Sequence, residues 1–429
     1  MLDDGEKLQP AGDSQKIFRA RYAFPVAAPP IADAALTIDG SRIVAVGQWS
    51  ASAAAKGGNV VDLGNAAILP GFVNAHTHLE FSDLPAPLGH AGIAFPDWIR
   101  AVVAYRRSRS DTDRREAVRR GLEESVRAGT AMLGEIATAG WPVDLLLGGA
   151  SNPNHPATVV FLELLGLLPE RTVANIAAAA EHVERQGTVG FSPHSPYTVN
   201  RTVIRYAAEV SRMAQIPLAM HIAESPEEMR LLATGDGPLR DLLQEFAAWD
   251  PAAIPPGARP IDYLRLLADA DRALVIHGTY LDGEEIAYLA ARSDRMAVVY
   301  CPRTHAYFPH APYPLAKLLA AGVTVGLGTD SRASNPDLNL FEEIRFAAAH
   351  HSLPPEKILA AATLGGAKAL GHDHQVGTLT PGKSADLAIV GLPNIEAEPH
   401  ELLLDPRSAV TATIRAGQQI ARDAKNTGG

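Results

Sequence analysis

Residues that bind metals or carry protons recur where short apolar runs of this chain give way to polar residues. Four runs end in this way, and their residues are His76 and His78, then His221 and Glu224, then His277, and lastly Asp330. Imidazole nitrogens and carboxylate oxygens are typical ligands of catalytic zinc sites, where one position stays open for water. The pattern therefore predicts a metal-dependent hydrolytic centre.

The sequence His76-Thr77-His78 places two imidazoles on one face of a strand, because side chains alternate with a period of two. Both rings can then reach one ion, at about 2.0–2.1 Å for zinc. His221 and Asp330 would complete a set of nitrogen and oxygen ligands. A lone His-x-His is weak evidence, and a lone aspartate often caps a helix. The coincidence of four run ends favours the metal site.

Eight apolar runs alternate with amphipathic helical segments in the middle of the chain, and the first run reads AILPGFVNAHTH. This alternation predicts parallel βαβ units, and eight of them favour a closed (β/α)8 barrel of the TIM type over residues 67–374. An open doubly wound sheet would carry a glycine-rich turn after its first strand, and none is evident. In a barrel the strand ends meet at one mouth, so the predicted ligands would converge.

Strand-like segments at both ends of the chain predict a second unit. Residues 15–66 and 375–422 each hold too few strands to bury two faces alone, so we expect them to pair into one composite β-sandwich. Residues 1–14 and 423–429 are expected to be flexible tails.

The sequence favours one metal ion over two. No lysine lies between Lys56 and Lys317, so the middle strands cannot supply a carbamylated lysine as a bridge. Glu135 or Glu163 could bridge instead, but substrate contact or a buried ion pair is the favoured role for both.

Glu224 is the predicted proton shuttle. It follows His221 by three residues, so an ideal strand would turn it away, whereas the start of a loop allows it to face inward. A metal ion lowers the pKa of a bound water toward about 7, and Asp330 can accept the proton that this water loses. A neighbouring carboxylic acid can then protonate a leaving amine, which describes hydrolytic deamination. The alternative for Glu224 is a carboxylate at a helix N-terminus.

Several segments resemble the amidohydrolase superfamily: PGFVNAHTHLEFS, HIAES, IHGTYL and GVTVGLGTDSRASNPDLNLFEEIRFA. The closing GTLTPGKSADLAIV is similar to the family's final sandwich segment, so the resemblance extends from about Lys16 to Asp423. The HIAES form resembles the deaminases of cytosine, guanine and adenosine derivatives, and the triazine hydrolases. The resemblance implies a distorted (β/α)8 barrel with a composite sandwich, and usually zinc or sometimes iron.

The resemblance also implies roles for single residues. The metal ligands would be His76, His78, His221 and Asp330, and Asp330 would also act as the base. His277 would orient or polarise the attacking water. Glu224 would protonate a ring nitrogen and then the leaving amine. The segment FSPHSPYTV resembles S-adenosylhomocysteine and aminodeoxyfutalosine deaminases and implies that His194 contacts substrate. HLEFSDL and FPDWI imply Glu80 and Trp98 as pocket residues, against plainer roles as a surface carboxylate and a packing aromatic.

One segment departs from this resemblance. After Cys-Pro, relatives of the nucleoside type continue with Ser-Asn, whereas this chain has Arg303-Thr304-His305. Arg303 and His305 could bind an anionic or polar substrate group, or they could pair with acidic residues in the wall. The favoured function is a mononuclear, zinc-dependent deaminase of a purine nucleoside or another heteroaromatic amine. The alternatives are hydrolysis of another C–N or C–Cl bond and a metal-binding protein without catalysis.

Composition narrows the partners to small molecules. A formal net charge of -10 disfavours a nucleic-acid backbone. No window approaches the roughly 18 apolar residues of a membrane span, and the N-terminus lacks the pattern of a signal peptide. Cys301 is the only cysteine, so an internal disulfide is excluded. We expect a cytoplasmic protein, with a homodimer as the default assembly.

Overall fold

The computed structural model describes residues 15–50, 59–147, 154–185 and 187–422, and the two predicted tails lie outside them. The first strands are β1 (Gln15–Ala23), β2 (Ile31–Asp39), β3 (Arg42–Gln48), β4 (Asn59–Asp62) and β5 (Ala66–Pro70). The next are β6 (Phe72–Thr77), β7 (Thr130–Ala137), β8 (Ala157–Leu164), β9 (Val189–Pro193), β10 (Pro217–Ile222), β11 (Arg272–His277), β12 (Met296–Tyr300) and β13 (Thr324–Leu327). The last are β14 (Leu387–Gly391), β15 (Ala409–Arg415) and β16 (Gln418–Arg422).

Helices separate most of the middle strands. In chain order they are α1 (Phe95–Arg107), α2 (Asp111–Arg127), α3 (Val143–Leu146), α4 (Glu170–Val183), α5 (Arg201–Ala214), α6 (Pro226–Thr234), α7 (Pro238–Glu245) and α8 (Pro260–Leu267). They continue as α9 (Gly283–Ala290), α10 (Pro302–Tyr307), α11 (Leu315–Ala320), α12 (Leu340–His350), α13 (Pro355–Ala360), α14 (Gly366–Leu370) and α15 (Pro399–Leu404). A 3₁₀ turn spans Leu79–Phe81, and a π-helical turn spans Ala361–Gly365. In the described part of the chain, no helix is long and apolar enough to cross a membrane.

Strands β6 to β13 form the barrel. They lie side by side in chain order, and the pairs from β6 to β9 and from β10 to β13 are parallel. A parallel bridge between Thr77 and Asp330 joins the first strand to the residues after the last one. Nearly every residue of these strands is buried, because helices cover the outside and side chains fill the inside. The predicted (β/α)8 barrel is confirmed.

The two ends of the chain meet in a second sheet, with the strand order β16-β15-β14-β5-β1-β2-β3 and with β4 beside β1. The antiparallel pair of β5 and β14, in which Ile68 lies opposite Ile389, joins the N-terminal strands to the C-terminal ones. One buried apolar cluster collects side chains from both ends, such as Phe18, Leu36 and Ile414. The predicted composite unit is confirmed, and it is one hydrogen-bonded sheet around a shared core.

One expected strand is divided in the structure. The run AILPGFVNAHTH forms β5 in the terminal sheet and β6 in the barrel, with Gly71 between them. A Cβ atom at Gly71 would lie 2.4 Å from the Cβ of Ala131, so a side chain there would collide with β7. The expectation of a single strand is therefore wrong, because the chain leaves the terminal sheet after Pro70 and enters the barrel at Phe72.

Candidate metal and catalytic site

The predicted metal ligands meet at the carboxyl end of the barrel. Oδ1 of Asp330 lies 3.7 Å from Nε2 of His76 and 3.7 Å from Nε2 of His78. Single ligand atoms of these three residues lie within 4.8 Å of one another, and the same holds for His76, His221 and His277. All five residues are buried. The structure therefore brings together every ligand that the sequence predicts.

The donor atoms of this cluster fit a divalent cation. Both ring nitrogens of His76 and Nδ1 of His78 are buried without a hydrogen-bond partner. Such atoms cost free energy unless a ligand occupies them. Nδ1 of His221 lies 2.9 Å from the carbonyl oxygen of His194, so its N–H can donate there and leave Nε2 for a ligand.

The charge states of the cluster also suit a metal. Burial, helped by His76, lowers the pKa of His78 to about 3. Burial and the neighbouring His194 lower the pKa of His221 well below its usual value. Burial alone would raise the pKa of Asp330, but His76, His78 and His277 hold it at about 2. Neutral imidazoles with an ionised carboxylate are the forms in which these side chains bind zinc.

Backbone geometry at the strand ends aims the side chains into the mouth. Ala223, His277 and Asp330 have φ angles of 55°, 68° and 55°, in the left-handed region that residues with a Cβ seldom adopt. Each costs about 1–2 kcal/mol, which the surrounding packing must offset. Past Ala223, the side chain of Glu224 turns inward, and its Oε1 lies 3.4 Å from Nε2 of His277. The expectation that the side chain of Glu224 faces the barrel mouth is therefore met through the backbone conformation of Ala223.

A second glutamate holds the loop that carries Glu224. The carboxylate of Glu228 accepts the backbone N–H groups of Ala223 and Glu224, each at 2.9 Å. Ser225 caps α6 by accepting the N–H of Glu228. Burial raises the pKa of Glu228 to about 7. Sequence reasoning missed Glu228, although the Ser-x-x-Glu spacing of a capping box was a signal for it.

Burial also decides the protonation of the two residues that would handle protons. Burial, with the charge of Asp330 nearby, raises the pKa of Glu224 well above its usual value and so favours its carboxylic acid form. Burial lowers the pKa of His277 to about 3, so its ring is neutral. The hydroxyl of Tyr313 donates to the carbonyl oxygen of His277 at 2.5 Å and supports its backbone.

A cavity of about 580 Å³ opens onto this cluster. Its polar wall includes the predicted residues His78, His194, His221, Glu224, His277 and Asp330. Most of the remaining wall is apolar. Helices α1 and α7 contribute Phe95, Trp98, Ile99, Val102, Leu239, Leu242 and Leu243, and the segments 165–168 and 246–248 contribute further apolar residues. Nε1 of Trp98 donates to the carbonyl oxygen of Ala333 at 2.9 Å, which fixes the indole in the wall. A largely apolar cleft with a few polar groups at one end is typical of a small-molecule site.

Three predicted glutamates lie behind this cavity wall. Glu80 and Glu163 flank the guanidinium of Arg106, which does line the cavity. Both oxygens of Glu135 accept the N–H of Leu79 at 3.0 Å and so hold the turn that follows the histidine pair. Burial raises the pKa of Glu135 well above its usual value. Sequence reasoning missed Arg106, because its glutamate partners lie 26 and 57 positions away along the chain.

Two residues of the segment Arg303-Thr304-His305, which differs from the nucleoside-type relatives, have different surroundings. Arg303 pairs with Glu343 at 2.6 Å and with Asp337 at 2.5 Å, which is the wall pairing that the sequence left open. Arg303 does not line the 580 Å³ cavity. His305 borders a smaller space that also contacts Glu224 and His277, and its ring lies 3.0 Å from the carbonyl oxygen of Ala311.

Comparison with known proteins agrees with this geometry. The amidohydrolase family profile matches residues 67–420. This protein belongs to the amidohydrolase family, and the resemblance seen in the sequence is confirmed. Membership supports the prediction of a hydrolase.

The similar proteins include deaminases. An aminodeoxyfutalosine deaminase of Deinococcus radiodurans is 32% identical over 324 residues, which are 71% of this chain and 74% of that protein. A 5-methylthioadenosine/S-adenosylhomocysteine deaminase of Moorella thermoacetica is 28% identical over 410 residues, which are 91% of this chain and 87% of that protein.

Solved structures share the fold. Helicobacter pylori aminofutalosine deaminase, in complex with methylthio-coformycin, superposes with a TM-score of 0.82 at 24% identity, over 95% of this chain and 100% of that one. A triazine hydrolase variant superposes with a TM-score of 0.76 at 21% identity, over 95% of each chain. These proteins belong to the two groups of hydrolases that the HIAES segment resembles.

Proposed function

We propose that this protein is a mononuclear, zinc-dependent deaminase that releases ammonia from a purine nucleoside or a related heteroaromatic amine. The observation that carries the proposal is the pair of Glu224 and His277, 3.4 Å apart and beside the ligand cluster at the cavity. The names of the sequence relatives, all deaminases among those described above, support the same reaction.

The proposed metal ligands are His76, His78, His221 and Asp330. Their unpartnered imidazole nitrogens and ionised carboxylate are the donor set that zinc prefers, and Fe²⁺ is the alternative cation. When bound there, the ion supplies Lewis-acid activation of the attacking water.

The chain's own residues would carry the protons. Asp330 is ionised and can accept a proton from the attacking water. His277 is neutral and can orient that water by a hydrogen bond from its ring. The raised pKa of Glu224 favours its carboxylic acid form, which can protonate a ring nitrogen next to the carbon under attack. The proton that Asp330 accepted then leaves with the amine as ammonia. The proton of the added hydroxyl restores the acid form of Glu224 as the ring carbonyl forms.

The proposed substrate contacts are His194 and Trp98, because both lie in the cavity wall. Glu80 and Glu163 would act through Arg106, and Glu135 through the turn that it holds. His305 would act from the small space beside Glu224, whereas Arg303 is held by acidic side chains.

The test is ammonia release by zinc-loaded protein from a panel of amines. The panel holds adenosine, 5′-methylthioadenosine, S-adenosylhomocysteine, aminodeoxyfutalosine, guanine, cytosine and an aminotriazine. The expected result is a kcat/KM above about 10⁴ M⁻¹s⁻¹ for one of them. Turnover of a panel compound without release of ammonia would contradict deamination.

Glu224→Gln tests the proton shuttle. General acid catalysis contributes about 10²- to 10⁴-fold, so kcat should fall by that factor, while the metal content measured by mass spectrometry stays at the wild-type level. Glu209→Gln, on the exposed face of α5, is the matched control and should keep the wild-type rate. Wild-type turnover by Glu224→Gln would show that another group carries the proton.

A further inference from the structure

Arg106 is a charged group of the cavity wall that carries no proton in the proposed reaction. Its side chain is 25% exposed and lines the cavity. Nε and Nη2 donate to Oε1 of Glu80 at 3.0 and 2.7 Å, and Nη1 lies 3.4 Å from Oε2 of Glu163. Two carboxylates behind the wall therefore fix the guanidinium and balance its charge.

Glu163 is buried and lacks hydrogen-bond donors. Its side chain has no exposed area, and neither carboxylate oxygen has a hydrogen-bond partner. Burial would raise the pKa of Glu163, but Arg106 and His194 hold that pKa below its usual value, so the group is ionised near neutral pH. Its Oε1 lies 4.0 Å from Nε2 of His194. Glu163 thus lies next to both Arg106 and His194, on the side that faces away from the cavity.

His194 presents a fixed ring edge to the same part of the cavity. Nδ1 lies 2.8 Å from Oγ1 of Thr198 and 3.1 Å from Oγ of Ser195, and these contacts set the plane of the ring. The side chain is 24% exposed and lines the cavity. A ligand group in this part of the cavity therefore contacts Arg106, which can only donate hydrogen bonds, and the ring edge of His194, which lies beside the carboxylate of Glu163.

The chemistry of these groups selects the ligand. Arg106 requires an acceptor, and the negative charge of Glu163 beside His194 favours a group that carries a proton of its own. A carboxylate has no proton to give, and it would meet a guanidinium whose charge is already balanced. An ammonium group cannot accept from Arg106. A hydroxyl both donates and accepts, and two neighbouring hydroxyls can serve both side chains at once.

We propose that Arg106 and His194 bind the hydroxyl groups of a sugar ring attached to the heteroaromatic amine, and that Glu163 is the positioning residue that fixes both side chains. This inference rests on the proposed deaminase function. It narrows the substrate class to a riboside-like amine, with the apolar wall from α1 and α7 available for a further apolar substituent.

The test compares the riboside of the panel that has the highest kcat/KM with its 2′,3′-dideoxy counterpart. A hydrogen bond to a charged group strengthens binding about tenfold or more. The kcat/KM of the wild-type protein should therefore be higher for the riboside by at least that factor. In Arg106→Met the preference should fall to within about threefold. The control Arg205→Met, on the exposed face of α5, should keep the full preference.

Glu163→Gln separates positioning from a general structural role. KM for the riboside should rise about tenfold with kcat within about twofold, while both constants for the dideoxy compound stay unchanged. A loss that is equal for both compounds would show a structural role and overturn the assignment. Equal wild-type rates for the two compounds would overturn it without any variant. Ammonia release only from guanine, cytosine or the triazine would keep the deaminase and refute the hydroxyl subsite, whereas silence across the panel would refute the deaminase itself.

Discussion

Replacing Glu228 by glutamine should stabilise the protein relative to wild type as the pH rises. Burial raises the pKa of Glu228 from 4.5 to about 7, so between these values the folded protein keeps a proton that the unfolded chain loses. The contribution of Glu228 to stability is therefore complete below its unfolded pKa and is lost as the pH rises through its folded pKa. Glutamine does not titrate, so the variant lacks this loss.

The size of the effect follows from the shift. One pKa unit corresponds to about 1.36 kcal/mol, and the interval from about pH 5.5 to the folded pKa covers about 1.5 units. The unfolding free energy of Glu228→Gln minus that of wild type should therefore rise by about 2 kcal/mol between about pH 5.5 and pH 8. The subtraction removes the titrating groups that both proteins share. At low pH the variant should be the less stable one, because an amide cannot accept both N–H groups of Ala223 and Glu224 as well as a carboxyl group does.

The assay is urea unfolding followed by circular dichroism and tryptophan fluorescence at several pH values. A chelator is present throughout, so that metal binding to the folded state does not contribute. For Glu209→Gln, whose side chain is exposed, the difference from wild type should not vary with pH. A difference for Glu228→Gln that is constant over the same range would refute the reasoning, because it would mean that Glu228 titrates alike in both states.

Three further perturbations test the metal centre, the barrel and the composite sheet. Chelation should abolish ammonia release and added zinc should restore it, and activity that survives chelation would contradict the metal centre. Gly365→Ala should lower Tm, because the new Cβ would lie 2.0 Å from the carbonyl oxygen of Val325. Overpacking of this kind typically costs about 1–3 kcal/mol of stability. The control Gly283→Ala, which has open space around it, should leave Tm unchanged. Removal of the chain from Val376 onward should leave β5 without its β14 partner and give insoluble protein, and full stability of the shortened chain would contradict the composite sheet.

The barrel and its ligands could be predicted from the sequence because two simple rules apply to them. Strands that are buried on both faces are continuous apolar runs, and their ends are marked by the first polar residues. Period-two alternation then places His76 and His78 on one face without any knowledge of the fold. The convergence of His221, His277 and Asp330 follows from the parallel direction of the strands.

The features that could not be predicted depend on contacts between distant parts of the chain. The Pro70-Gly71 pair is a local signal of a break, but the need for glycine at position 71 depends on the close approach of Ala131 on a neighbouring strand. The left-handed backbone conformation of Ala223 could not be predicted either, because alanine rarely adopts it. The hydrogen bond from the Ala223 N–H to the carboxylate of Glu228, which stabilises this conformation, is visible only in the structure. Arg106 belongs to the same group, because its role depends on carboxylates from two other segments.

Arg303 shows how contacts decide between two roles that the sequence leaves open. A guanidinium pairs equally well with a ligand carboxylate and with a side-chain carboxylate. Here Asp337 accepts from both Nη atoms and Glu343 accepts from Nε and from the backbone N–H, so α10 is tied to the start of α12. Arg303 thus links two helices and does not line the cavity, to whose apolar wall α1 and α7 both contribute. Substrate choice should therefore respond to substitutions in α1 and α7 more than to substitution of Arg303.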